Sequence, residues 1–386
     1  MTVLQKEVLI DPKRARTWRE TMFGNIKGLF VQAHKDSEGY IEVSNTLTRE
    51  VREQMQRTLV PQAQRGFEAG NRRTPENPDP YRTCFEVDRD RILHKGAAFR
   101  RLAGKTQVFI FPEDHMRTRL THALEVEQVA RAISTALRLN VPLTEAIALG
   151  HDCGHGPFGH ASEDALTPYT DFGFDHARFG ADVILRDLNL TAETLDGIRS
   201  HSWSLPAPKT LEGEVVSWAD RVAYVCHDFE DACRAGIVTT RMLPEIVKSR
   251  LGTEKGHQLN VLITDIIKTT SQVQKVGMST DVAEALAEFR QFNYDCIYMR
   301  PAATVQNQVV IEMLRSLVEF FIDHPNLDVL VASTSPEPTR AGSTEARDRA
   351  VSYVAGMTDR FALRSALKYL DWPESKLPKG VDMGTL

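Results

Sequence analysis

Apolar residues recur at helical spacing along most of this chain, and no strand-turn-strand series or βαβ alternation interrupts them. In DRDRILHKGAAFRRLAGKTQVF, Ile92, Leu93, Ala97, Phe99 and Leu102 predict a helix, with Gly104 as its stop. After a short QVFIF run and Pro112, RTRLTHALEVEQVARAISTALRLN carries a stripe of Leu120, Leu124, Val126, Ala130, Ile133 and Leu137, with Glu and Arg on the other face. Pro142 suits the first turn of the next helix, PLTEAIALGHD, which ends on His151 and Asp152 before Gly154. A loop, GHGPFGH, leads to helices starting at ASEDAL and FDHARFGADVILRDL. A long helix follows in LEGEVVSWADRVAYVCHDFEDACRAG, with Gly236 as its C-cap. Helical patterns continue in DVAEALAEFRQFNYDCIYM, VVIEMLRSLVEFFIDH and ARDRAVSYVAGMTDRFALRSALKYL, with a polar loop at 332–344 between the last two. The pattern predicts an all-α fold.

The first 80 residues are different in texture. They are polar and arginine-rich, show helical spacing only in pieces such as Leu47, Val51, Met55 and Leu59, and end in GNRRTPENPDPYR, dense with breakers. Three segments are therefore expected: a peripheral arm or subunit-contact segment over 1–80, a helical core over 81–240, and a helical C-terminal region over 241–386. A chain of 386 residues exceeds one compact core, which agrees with such a division.

Composition narrows the function classes. The net charge of −5, from 47 basic and 52 acidic residues, gives no global reason to expect nucleic acid or an anionic membrane. Arginine-rich stretches such as ARTWRE and QAQRGFEAGNRR leave weak single-strand binding open. Five cysteines without zinc-ribbon spacing read as free thiols in a reducing compartment. No apolar run approaches a membrane span and the N-terminus lacks a signal-peptide core, so a cytoplasmic protein is expected.

The chemistry is concentrated in one place. Six of the twelve histidines (His115, His122, His151, His155, His160, His176) fall within 62 consecutive residues. Imidazoles and carboxylates so crowded are costly to bury unless a ligand or metal engages them. His122, His151, Asp152 and Asp220 come from different helices apart from the adjacent pair, as in metal sites built inside helical bundles. Two imidazoles and two carboxylates without thiolate favour one divalent ion such as Mn, Fe, Co, Ni or Zn, with Mg also suited. Gly154, Gly156 and Gly159 give the following loop a tight path to His160. Glu163 lies one helical turn on, at a spacing that lets its carboxylate orient that imidazole as a general acid-base pair. Asp220, Tyr224 and Asp228 form an i, i+4, i+8 stripe suited to a nucleoside, and Arg119 and Arg221 flank the ligands, placed to clamp phosphate oxygens.

At FRRLAGKTQVF, HMRTRLTHALEV, ALGHDCGHGPFGHASE, WADRVAYVCHDFEDA and VAGMTDRFAL, which span about 99–365, the sequence resembles the HD-domain phosphohydrolases of the dGTP triphosphohydrolase-like family. The resemblance implies a helical bundle with one divalent ion, Mn or Mg favoured, on His122, His151, Asp152 and Asp220. It implies that His160 and Glu163 serve the chemical step and that His155 and His176 line the pocket. It further implies phosphate contacts from Arg119 and Arg221, and deoxyribose contacts from Gln107, Tyr224 and Asp228. The implied reaction releases deoxynucleoside and triphosphate from a deoxynucleoside triphosphate, in a homo-oligomer open to activation by a nucleotide. Two rival readings remain: an HD-type nucleotide phosphomonoesterase or phosphodiesterase, and a nucleotide-responsive binding protein without turnover.

Overall fold

The structure, a computed structural model, describes residues 11–110, 115–327 and 338–378. Pro112 and residues 332–337 of the polar loop lie outside the described residues. The chain divides into two compact units, Met1–Leu47 and Thr48–Leu386.

In the first unit, Pro12 sits in the opening turn of α1 (Pro12–Thr21), and Asp11 caps it by accepting from the Lys13 amide. A small antiparallel hairpin follows, β1 (Asn25–Lys27) and β2 (Phe30–Gln32), with Ile26 opposite Val31. It is the one departure from an all-helical chain among the described residues. The alternating apolar and polar positions that would reveal a strand need more than three residues to register.

The second unit begins at Thr48, so the expected break near residue 80 falls inside it. The breaker-rich stretch has no helix or strand of its own and is tied down by a bridge from Arg72 to Thr191 and by side chains. Arg72 donates to Asp88 at 2.6 Å, and the Gln64 amide donates to Glu212 at 3.1 Å. Proline and glycine there end helices without loosening the chain.

The second unit carries α2 (Arg49–Met55), α3 (Cys84–His94), α4 (Ala97–Arg101), α5 (Arg119–Ala136), α6 (Val141–Gly150), α7 (His160–Leu166), α8 (His176–Phe179) and α9 (Ala192–Arg199). Then come α10 (Leu211–Arg234), α11 (Glu245–Leu251), α12 (Lys255–Val273), α13 (Thr280–Asn293), α14 (Pro301–Asp323), α15 (Thr344–Ala355) and α16 (Asp359–Leu370). No helix among the described residues is long and apolar enough to cross a membrane.

The fold is organised round α5, α6 and α10, which pack on one another. Of the stripe read from the sequence, Val126, Ala130 and Ile133 are buried, Leu120 and Leu137 half-buried and Leu124 exposed; with Val129, the buried residues of α5 share one core with Leu143, Ala146 and Ile147 of α6 and Val215, Ala219, Val222 and Cys226 of α10. Each fully buried aliphatic side chain contributes about 1.5–3 kcal/mol, which fixes the rotation of each helix about its axis. A second apolar cluster joins α7 to α14, α15 and α16 through Leu166, Leu314, Leu317, Phe321, Val354 and Ala362.

Two expected helices break where the chain meets the core. The FDHARFGADVILRDL helix gives way after Phe179 to a π-turn over Gly180–Ile184. Gly180 packs backbone to backbone on Gly154, and a side chain on Gly154 would meet the His176 carbonyl at 2.0 Å. The DVAEALAEFRQFNYDCIYM helix likewise ends in a π-turn, Tyr294–Tyr298. Such turns rotate the residues after them, and here the rotation aims Tyr298 at Asp228.

Candidate metal centre and active site

The three central helices deliver the expected ligands. His122 lies in the first turns of α5, His151 and Asp152 follow the last turn of α6, and Asp220 is in the middle of α10. Arg117 locks the start of α5 to α10. Its backbone N–H and guanidinium donate to Asp231 at 3.0 and 2.5 Å, and another guanidinium N–H donates to Glu230 at 2.7 Å.

His122 Nε2 lies 3.1 Å from Asp220 Oδ1 and 4.0 Å from Asp152 Oδ2. His151 Nε2 lies 3.8 Å from Asp220 Oδ1 and 3.5 Å from Asp152 Oδ1. Ligands about 2.1 Å from one ion stand about 3.0–3.5 Å apart when adjacent and about 4.2 Å apart when opposite, so these separations match a shared divalent cation. His122, His151 and Asp220 form one group able to hold an ion; Asp152 joins His151 in a second group with His201. The His151 Nδ1–H donates to the Ala148 carbonyl at 2.6 Å, which fixes the tautomer and leaves Nε2 as a lone pair facing the carboxylates.

Orphaned atoms make the same point. Among the described residues, Gln107 Oε1, Arg119 Nε and Nη2, His122 Nδ1, His151 Nε2, His155 Nδ1, Arg221 Nε and Asp228 Oδ1 are buried without a hydrogen-bond partner. Each unpartnered buried group costs about 1–3 kcal/mol, and other such atoms lie elsewhere in the chain, for example on Glu212 and Gln258. The donor set fits a bound cation with a polar ligand beside it.

The histidines form a connected group. His155 stacks on His176 with centroids 3.7 Å apart, and the His160 ring stands 5.2 Å from that of His155. The pairing expected between His160 and Glu163 is not the hydrogen bond that forms. Glu163 Oε1 instead accepts from His176 Nδ1 at 2.7 Å and from the His176 amide at 3.0 Å. The chain between α7 and α8 turns back so that the first residue of α8 meets Glu163 in the first turn of α7. Burial would lower the His176 pKa, but this carboxylate raises it. His160 is exposed to solvent while the protein packed round it, and then Arg119, lower its pKa. The lowered pKa favours its neutral form. His115, the sixth of the crowded histidines, is exposed and stands apart from this group, its carbonyl accepting from Arg234.

Arg119 is fully buried, and one Nη donates to Asp152 Oδ2 at 2.8 Å. Burial alone would raise the Asp152 pKa; Arg119 and the neighbouring imidazoles together hold it well below the ordinary carboxylate range. Gly159 has a φ of +62°, and a β-carbon there would meet Arg119 Nη2 at 2.7 Å. The glycine loop thus makes room for the guanidinium as well as delivering His160.

Tyr224 and Asp228 are held by residues that follow α12. Tyr224 Oη accepts from Arg290 Nε at 2.7 Å, and Tyr298 donates to Asp228 Oδ2 at 2.6 Å. Burial pushes the Asp228 carboxyl up to about 7, with the Tyr298 bond opposing. Arg221 lies flat on Trp203, 3.6 Å from the ring centroid.

Sequence reasoning assigned no role to His201, Lys105 or Asp359. His201 is buried beside His151 and His176, with centroids 5.0 and 5.1 Å away. Lys105 donates to the carbonyls of His155 and Ala355, and burial lowers its pKa to about 7. Asp359, at the start of α16, accepts from the amides of Thr106 and Phe158 and ties the C-terminal cluster to the loop that carries His160. The TDR of VAGMTDRFAL was the available signal for Asp359. His201 lay outside the histidine-dense window.

The HD domain family matches residues 119–225, and the phosphohydrolase-associated domain family matches residues 276–367. A deoxyguanosinetriphosphate triphosphohydrolase-like protein of Caldanaerobacter subterraneus is 41% identical over 330 residues, covering 83% of this chain and 94% of that protein. One from Clostridium perfringens is 40% identical over 313 residues, covering 76% and 89%. One from Paracoccus denitrificans is 36% identical over 380 residues, covering 81% and 99%.

Proposed function

We propose that this chain, which belongs to the deoxyguanosinetriphosphate triphosphohydrolase-like family of HD-domain proteins, hydrolyses deoxynucleoside triphosphates to deoxynucleoside and triphosphate. The observation that carries the reading is that the His/Asp cluster, Arg119, Arg221 and Asp228 each hold a buried polar atom without a protein partner. It suits a ligand with phosphates at one end and a sugar at the other.

His122, His151, Asp152 and Asp220 would hold one divalent ion, Mn or Mg, which when bound supplies charge neutralisation at phosphate oxygens. Arg119 keeps one N–H pair on Asp152 and has Nε and Nη2 left to donate to phosphate. Arg221 on its Trp203 platform, beside Arg290, serves the distal phosphates. Tyr224, Asp228 and Gln107 face the deoxyribose. His160, exposed and with its pKa lowered by the protein round it and by Arg119, takes the proton of the water that attacks the α-phosphorus. The bond from phosphorus to the 5′-oxygen breaks, and that oxygen receives the proton back from His160 and leaves as the deoxynucleoside hydroxyl. Glu163 holds His176 in place behind His155.

Chromatographic product analysis with each deoxynucleoside triphosphate, alone and in mixtures, with Mg or Mn, tests this. Equimolar deoxynucleoside and triphosphate is the expected result, and release of orthophosphate or absence of turnover in every mixture rejects it. The mixtures also reveal activation by a second nucleotide, and size-exclusion chromatography with light scattering tests the homo-oligomer.

A further inference from the structure

Building on the proton-accepting role proposed for His160, we infer that Lys105 and Asp359 are its positioning residues, through which the C-terminal helices set where that imidazole stands. Two residues in left-handed backbone come immediately before His160: Phe158 and Gly159, each with a φ of +62°. Glycine takes this conformation freely, whereas an aromatic residue is strained in it. Such strain persists only where the surrounding structure imposes it.

What imposes it here comes from the C-terminal helices. The Phe158 amide donates to Asp359 Oδ1 at 2.7 Å, and the Phe158 ring is buried in the apolar cluster that α14, α15 and α16 share with α7. The other oxygen of Asp359 accepts from the Thr106 amide at 2.8 Å and from the Thr106 hydroxyl. Three residues before Phe158, the His155 carbonyl accepts from Lys105 Nζ, which also donates to the Ala355 carbonyl at the end of α15, at 3.0 Å. The Lys105 carbonyl in turn accepts from the Arg119 amide at 3.1 Å, which carries the first turn of α5 along with it. Lys105 and Asp359 are both buried, and buried ionisable groups are kept where hydrogen bonds hold them in one geometry. Together they join the loop before His160, the segment leading to Gln107, the start of α5 and the C-terminal helices. Ala355 and Asp359 both lie in the phosphohydrolase-associated match at residues 276–367. Among the described residues that segment contributes to none of the possible metal-ligand groups, yet it holds the backbone from which His160 projects.

Hydrogen exchange read by mass spectrometry, beside steady-state kinetics, tests this on the full-length protein. Lys105→Met keeps the length of the side chain and loses its donors. Asp359→Asn turns an N–H toward one of the two amides that the carboxylate accepts from. In Lys105→Met, which removes no acceptor from the Phe158 amide, peptides covering 154–160 should exchange about tenfold faster while those within α5 and α10 keep their protection. In both variants kcat should fall about 10²-fold, the scale of a misplacement of about 1 Å, with KM and the Mn(II) dissociation constant from calorimetry unchanged. A lower melting temperature with wild-type kcat and wild-type exchange at 154–160 would make the pair purely structural and overturn the inference. Should neither variant fold, the wild type decides. Over a series of sub-denaturing guanidinium chloride concentrations, peptides of 154–160 should open together with those of α15 and α16, and a loop that opens ahead of them overturns the inference. A wild type without turnover rejects the reaction proposed above, and exchange alone then decides the coupling.

Discussion

Glu163 Oε1 accepts two hydrogen bonds from a single residue, at 2.7 Å from the His176 ring and 3.0 Å from its backbone. The doubled contact fixes both where α8 starts and how its first imidazole is turned. Burial would raise the Glu163 pKa, but His176 keeps the carboxylate ionised.

Glu163→Gln keeps the shape and removes the charge. Turnover should fall about 100-fold, the scale of losing an orienting partner in acid-base catalysis. Steady-state kinetics on protein with unchanged circular dichroism checks this. Activity within about twofold of wild type would remove Glu163 from the mechanism.

The grouping of His122, His151 and Asp220 follows from the helices that carry or precede them, which pack on one another. Once the stripes of α5, α6 and α10 face one another, His122, His151 and Asp220 have only one place to point. Spacing failed where a loop decides. His160 and Glu163 share a helix turn, yet the carboxylate goes to a histidine 13 residues away, because the segment between folds back. His201 was missed for the same reason. Its position depends on α9 packing against α6, and nothing within its own HSWSLPAPK stretch records that contact. The anchoring of residues 48–80 escaped too, since it rests on single long-range bonds such as Arg72 to Asp88.

His160→Ala should lower turnover by about 10²–10⁴-fold. His160 is exposed, and its ring stands 5.2 Å from that of His155 and 6.2 Å from that of His176, so metal content and melting temperature should hold. Metal analysis beside the kinetics separates the two effects, and near-wild-type turnover would exclude His160 as the proton acceptor.

Arg119→Lys tests the fork. Lysine offers one compact cation, so it cannot serve Asp152 and a phosphate together. The expected loss in kcat/KM is about 10²-fold. Gly159→Ala should produce a related loss by pressing on Nη2, along with about 1–3 kcal/mol of backbone strain from its positive φ. If Gly159→Ala kept both full activity and full stability, the loop would not be shaping the guanidinium's position.

Stripping divalent metal should lower the melting temperature as well as abolish activity. Asp152 and Asp220 are carboxylates held in the ionised form at the core of α5, α6 and α10. An ion at 100 times its dissociation constant stabilises the folded state by about 2.7 kcal/mol. Differential scanning fluorimetry with chelator, then with added Mn or Mg, reads the shift. An unchanged melting temperature on both additions would mean that no ion binds there.

Asp228 gives a pH signature. Its folded-state pKa is raised by burial to about 7 from an ordinary 3.8. Between about pH 4 and pH 7 the folded chain therefore holds a proton that the unfolded chain has released, and raising pH across that window favours unfolding. Wild-type stability should fall relative to Asp228→Asn over this range, by at most about 1.4 kcal/mol per pH unit, and the two should run parallel above pH 7. The proton belongs on Oδ1, the oxygen without a protein partner, because Tyr298 already donates to Oδ2. A sugar hydroxyl would then accept from Oδ1 at low pH and donate to it at high pH, so the Michaelis constant of Asp228→Asn should lose the pH dependence that the wild type shows near 7. Urea denaturation of the metal-free proteins at pH 4.5, 6, 7 and 8.5 measures the stability arm; parallel curves throughout would place an ionised carboxylate at Asp228 and reject this protonation scheme.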